Sequence, residues 1–252
     1  MIKGILAYRI WLTLAWHETK LKYRRSVIGP FWITLTTVIM VGFLGVLYGI
    51  LLNQPLNEYL PYLAAGLVIW QFIAAALNES CDSLINSAIS IRQFNQPITI
   101  YCARSVVRNY IVLIHNIPVA IVCLIIFKGF SFSQLLLAAF GFILLFLEMI
   151  WINIVISILC LRFRDIKQII NNIVQVGLFV TPIIWQNQHL GHHQWVGQIN
   201  PFFNLIEIVR APMLGQAYPW VSLYILLAGL VFGYILAELL MIRARNRISY
   251  WL

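Results

Sequence analysis

Between positions 30 and 52 the chain carries no charged side chain at all. A second apolar run, 59–86, stays uncharged to Asn78 and meets Glu79 and Asp82 near its end. Four more follow: 105–127 with only Arg108, 131–161 with only Glu148, 166–186 with Lys167 at its start, and 219–242 with Glu238 near its end. Each is long enough to supply the ~20 apolar residues that a helix needs to cross a hydrocarbon core of ~30 Å. Backbone groups in lipid must be paired within the segment, so helices are expected and an open sheet is not. The pattern predicts an all-α integral membrane protein with six transmembrane helices.

Three connecting stretches carry patterns of their own. Residues 1–28 are too interrupted by Arg9, Glu18, Lys20, Lys22, Arg24 and Arg25 to cross. With Trp11 and Trp16 they read as a basic amphipathic helix lying in the interface plane. Gly29-Pro30 then breaks that helix and opens the first span, because proline fits a helix's first turn. Residues 88–97 have room for one short helix, ended by Pro97. Residues 187–218 hold Phe202, Phe203, Leu205, Ile206, Ile208 and Val209 in a run too short to cross. Short re-entrant helices would bury them, provided that protein or water satisfies their ends.

Charge orients these elements. Of the 17 Lys and Arg residues, all but Lys128 and Arg210 fall on one side of the predicted bundle. The positive-inside rule makes that side cytoplasmic, with both termini there and an even number of crossings. Only 10% of residues are charged and 62% are hydrophobic, against roughly 25% charged in soluble domains. The net charge of +9 therefore belongs to membrane flanks rather than to an exposed nucleic-acid face. The first residues lack the cleavage pattern of a signal peptide. Cys81, Cys102, Cys123 and Cys160 form no CxxC and have no metal-ligand spacing, so they read as small buried apolar groups.

Candidate chemistry is sparse. None of the five lysines is followed by Ser or Thr, so the phosphate-binding loop of ATP-hydrolysing proteins is missing and no cofactor is expected on this chain. Glu148 sits near the middle of a span and must face protein or water, as a cavity-lining or relay group or as a hydrogen-bonded packing residue. Glu79 and Asp82 lie at the depth of Arg104 and Arg108, which makes ion pairs expected. His189, His192 and His193 crowd one outer loop without a carboxylate, a poor metal site. Asn171, Asn172 and Gln175 recur at helical spacing in the fifth span, where such a stripe lines a passage or joins helices. Trp32, Trp70, Phe72 and Phe179 are candidates for a path along which sugar rings stack; a belt or core role is the alternative for each. Lys22, Arg24 and Arg25 either anchor the chain to lipid heads or contact phosphate, for which arginine's planar fork is suited.

Three stretches carry a family resemblance. "KYRRSVIGPFW" at 22–32 resembles the entry to the first span in permeases of polysaccharide-exporting ABC transporters, the O-antigen, capsule and teichoic-acid branch. "FRDIKQIINNIVQVGLFVTPIIW" at 163–185 is similar to that family's fifth span with its Thr-Pro near the outer end, and "NPFFNLIEIVRAPMLG" at 200–215 to its external Asn-Pro motif and re-entrant helix. The resemblance implies a non-enzymatic permease in a bacterial inner membrane. It also implies a homodimer that enclosed a channel for an undecaprenyl-diphosphate-linked glycan. Two copies of a separate nucleotide-binding ATPase would carry ATP and magnesium. Coupling to that ATPase is expected at Ile91, Arg92, Gln93, Phe94 and Asn95. Two other readings stand beside it: a secondary transporter or channel without an ATPase, and a membrane-embedded glycan or lipid transferase.

Overall fold

Helix α4 (Leu56–Ser83) is buried along nearly its whole length, and the other elements are arranged around it. Its sequence is apolar on every face and has small residues (Ala64, Ala65, Gly66, Ala76) that let neighbouring backbones approach. In this computed structural model, which describes residues 2–24, 29, 31–94, 96–129, 131–245 and 247–251, α4 packs on α3 (Phe31–Leu51), α6 (Thr99–Phe127), α7 (Phe132–Arg162), α8 (Ile166–Val180) and α10 (Pro201–Met213). Helix α11 (Trp220–Ala244) closes the far side against α7 and α10. The described residues contain helices and turns and no strand.

Helices α3, α4, α6, α7 and α11 are long and apolar enough to cross a membrane. The outer two, α3 and α11, leave Phe43, Ile50, Val231 and Phe232 largely exposed. The chain is an all-α integral membrane protein. Helix α8 departs from the expected span 166–186. Its 15 residues rise only about 22 Å at ~1.5 Å each. It stops because Thr181 precedes Pro182, whose ring drives the preceding residue out of the helical region; Thr181 has φ −83° and ψ 137°. Beyond that point Thr181, Pro182, Ile183 and Ile184 are buried as irregular backbone.

Two glycines admit close packing around α8 and α10. A Cβ on Gly141 would lie 2.5 Å from the carbonyl oxygen of Ile208, so α7 and α10 touch backbone to backbone there. A Cβ on Gly177 would lie 2.8 Å from the Trp70 ring, so the absence of a side chain is what admits that indole.

The N-terminal segment, expected as one interface helix over 1–28, is two helices, α1 (Ile2–Leu6) and α2 (Tyr8–Tyr23), broken at Ala7. Trp11, Ala15 and Thr19, spaced four apart, turn inward, and Trp11 and Ala15 pack on Ile100, Ala103 and Val107 of α6. Trp16 turns outward and is 58% exposed. Gly29 has φ 61°, the left-handed conformation suited to a corner. Arg25 and Pro30 lie outside the described residues. Helix α6 starts at Thr99, ahead of the expected 105, because Ile100, Tyr101, Cys102 and Ala103 are buried and extend the packed surface. The stretch 88–97 forms α5 (Ala88–Gln93), and 187–218 forms a 3-10 segment (Asn187–His193) broken at Gly191, then α9 (Trp195–Ile199) and α10.

Candidate functional site

At the end of the bundle where the arginines and lysines collect, α4, α6 and α8 surround a cleft of about 290 Å³, and α2 packs on α6 beside it. Glu18 of α2 receives Arg104 at 2.9 Å and Arg108 at 2.8 Å. Arg108 also reaches Glu79 at 2.6 Å, and Asn109 donates to the same Glu79 oxygen at 2.7 Å. Asp82 pairs with Lys167 of α8 at 2.8 Å, and Arg104 donates to Ser87 at 2.8 Å. Helices α2, α4, α6 and α8 are thus tied at a single layer. The expected pairing was only half as drawn: Glu79 takes Arg108, but Asp82 takes Lys167, and Arg104 takes Glu18. Glu18 was missed because it lies some 90 positions from its partners, on a segment read as a surface helix; it shares the face of α2 that carries Trp11 and Ala15 and meets α6 with them.

Helix α8 shows three faces. Val174 and Gly177 are buried against the bundle. Ile169, Ile173, Val176 and Val180 form an exposed apolar strip. Gln168, Asn172, Gln175 and Phe179, at i, i+4, i+7 and i+11, form a second exposed strip that is polar for three of its four positions. Gln168 donates to Asn172 at 3.2 Å along that strip.

The opposite end of α8 is held by α10. Asn200 caps α10 by accepting the Phe202 N–H at 2.9 Å, with Pro201 in the first turn, and donates to Thr181 at 3.0 Å. Arg210, 1% exposed, donates to the carbonyl of Pro182 at 2.6 Å and pairs with Glu207 at 2.6 Å, while its guanidinium sits 4.2 Å from the Tyr62 ring centre. Tyr59 and Tyr62 donate to the carbonyls of Ile184 (2.6 Å), Pro182 (2.9 Å) and Trp185 (3.0 Å). The carbonyls freed where α8 unwinds are therefore satisfied by side chains, as membrane depth requires.

The candidate residues divide by exposure. Trp32 and Phe179 are exposed at 57% and 62%, and Asn172 and Gln175 are exposed on α8. Trp70, Phe72 and Glu148 are instead packed inside the chain. Trp70 meets Phe202 edge-on at 5.4 Å, and Phe72 meets Tyr110 at 5.6 Å. Glu148 accepts the Trp151 indole N–H at 2.5 Å and faces Gly229 of α11. Gly177 faces Trp70 and Gly229 faces Glu148, pairings that sequence spacing alone does not show. Lys22 and Arg24 are exposed at the end of α2, next to Arg25, which is not described. On α5, Arg92, Gln93 and Phe94 are exposed and Ile91 is half-buried against the core; Asn95 lies outside the described residues. His192 and His193 are exposed, and no three metal-binding side chains gather among the described residues. His115 uses Nδ1 to donate to the Ile111 carbonyl at 2.8 Å.

Known proteins resemble this chain over most of its length. Two proteins of Klebsiella pneumoniae named O-antigen export system permease protein RfbA are 21% and 23% identical over 194 residues, covering 75% of this chain and 74% of their own. One of Myxococcus xanthus with the same name is 17% identical over 186 residues, covering 73% of this chain and 72% of its own. The family described as ABC-2 type transporter matches residues 9–214, most of the chain and every element of the site, and the chain belongs to that family.

Proposed function

We propose that this chain is the membrane-spanning permease subunit of an ATP-driven exporter whose cargo is a lipid-linked polysaccharide. The observation that carries the reading is the exposed polar strip of α8. Gln168, Asn172 and Gln175 cannot face acyl chains without loss of their hydrogen bonds. The adjoining strip of Ile169, Ile173 and Val176 is apolar and equally exposed. A second copy of the chain covering the apolar strip would leave the polar one on a wet lumen. Phe179, Trp32 and the two α8 amides are then the wall residues on which sugar rings stack and hydrogen-bond. The relatives' names, which specify O-antigen export, point to the same cargo class.

Within this reading α8 and the segment 181–186 together make the sixth crossing, and both termini are cytoplasmic in a bacterial inner membrane, as the placement of Lys and Arg favours. ATP and magnesium act on a separate ATPase, two copies per dimer, docked against the exposed Arg92, Gln93 and Phe94 of α5. Nucleotide binding can favour one packing of the dimer only by its differential affinity for the two states. The cleft layer joining Glu18, Glu79, Arg104 and Arg108 is where α2 feels that change. Lys22, Arg24 and Arg25 meet the diphosphate of an undecaprenyl-linked glycan as it enters.

The test is reconstitution in proteoliposomes with the partner ATPase and a lipid-diphosphate glycan. Glycan movement that requires ATP and stops when the ATPase's catalytic carboxylate is neutralised supports the reading. Movement at the same rate without the ATPase would establish a secondary transporter or channel instead. Covalent change of the glycan by the chain alone would establish a transferase.

A further inference from the structure

We infer a second, separate site: a hollow for the phosphate headgroup of an anionic lipid, between the ends of α7 and α11. The hollow measures about 380 Å³ and is lined by Arg162, Arg243, Arg247, Phe163, Leu240 and Trp251 among others, with no carboxylate and no residue shared with the cleft beside α8. None of its three arginines pairs with a carboxylate among the described residues. Arg162 and Arg243 lie in the last turns of their helices, where a cation offsets the helix dipole. That account does not extend to Arg247, which lies beyond α11 and lines the same hollow.

The short helix α12 (Ile248–Trp251) folds the chain back over this spot. Ile248 is 1% exposed, and Trp251 is held 5.6 Å from the Arg162 guanidinium, which also lies 4.8 Å from the Phe163 ring. Aromatic contact holds the guanidinium in place and leaves its N–H fork for an anion, the geometry that suits bidentate phosphate contact. Ile158, Leu159 and Leu240 give the hollow an apolar lining, and an apolar track leads away from it along α11. Ile235 and Leu239, two turns and one turn before Arg243 on the same face of α11, are exposed at 57% and 53%. A phosphate seated on the arginines would therefore leave an acyl chain lying along Ile235 and Leu239. A soluble phosphate ester would use the arginines alone.

The full chain, purified and probed by native mass spectrometry, tests this with phosphatidylglycerol, phosphatidylcholine and inorganic pyrophosphate as probes. The wild type is expected to retain phosphatidylglycerol about tenfold better than phosphatidylcholine, and about tenfold better than the Arg162→Gln/Arg243→Gln/Arg247→Gln variant. Leu239→Gln is expected to weaken lipid retention without changing pyrophosphate binding. Equal retention by the triple variant and the wild type would overturn the site. Pyrophosphate that displaces the lipid fully, with Leu239→Gln silent, would overturn the lipid assignment in favour of a soluble phosphate ester. If the triple variant fails to fold, Arg247→Gln alone, which lies outside helix packing, decides by the same two readouts.

Discussion

Arg210 on α10 donates to the carbonyl oxygen of Pro182 at 2.6 Å, joining a fully buried cation to the point where α8 loses its helix. The pair joins the end of a 15-residue helix to the flank of α10. Pro182 ends α8, and Arg210 with Tyr59 and Tyr62 takes up the carbonyls that this exposes. Arg210→Met keeps the length of the side chain but strands Glu207 and the Pro182 carbonyl. Breaking one side of a buried ion pair costs on the order of 3–5 kcal/mol. Thermal unfolding in nanodiscs should show a large loss for Arg210→Met and a smaller one for Glu207→Gln/Arg210→Met. Equal losses would mean that the pair is not what holds this end.

Gly177 is predicted to be intolerant of even one methyl group. Its Cβ would meet the Trp70 ring at 2.8 Å, and such overpacking costs about 1–3 kcal/mol. Gly177→Ala should destabilise, and Gly177→Ala/Trp70→Leu should recover part of the loss, because the clash is with the far edge of one ring. Melting curves of the two variants check the pairing. No recovery in the double variant would place the strain in the backbone.

Glu148 should tolerate glutamine better than leucine. Glutamine keeps an oxygen for the Trp151 N–H, bonded at 2.5 Å. Leucine leaves that buried donor unpaired, at a cost of about 1–3 kcal/mol. Stability of Glu148→Gln and Glu148→Leu, compared side by side, checks this. Export retained by Glu148→Gln further separates a packing role from a proton relay.

Glu18→Gln should change little in global stability, since partly exposed pairs are worth about 0–1 kcal/mol. Its effect should be local: faster amide exchange across Tyr8–Tyr23, where the links to Arg104 and Arg108 are lost. Unchanged exchange in α2 would show that packing of Trp11 and Ala15 on α6 alone fixes the helix.

Much of this architecture could be read from the chain. Uncharged runs bounded by arginine and lysine located the long helices because a membrane permits few other solutions. The 3.6-residue spacing of Asn172 and Gln175 put them on one face of α8, and both remain exposed there. What could not be read was pairing at long range. Glu18 meets Arg104 and Arg108 only because α2 folds back on α6. Trp70 and Phe72 are buried because Gly177 and Tyr110 happen to lie opposite them, and aromatic residues at a wall and in a core look alike in sequence. The Thr-Pro step that ends α8 was visible; that Arg210, grouped by charge alone, takes up the Pro182 carbonyl was not.

In the proposed assembly the Asn172 and Gln175 face of α8 borders water. Single cysteines at Asn172→Cys, Gln175→Cys, Val174→Cys and Ile235→Cys, in a chain whose four native cysteines are replaced, can be timed against a membrane-impermeant thiol reagent. The account predicts rapid modification at the first two, slowed by bound glycan, and almost none at buried Val174→Cys or lipid-facing Ile235→Cys. Equal, slow reaction at all four positions would contradict it.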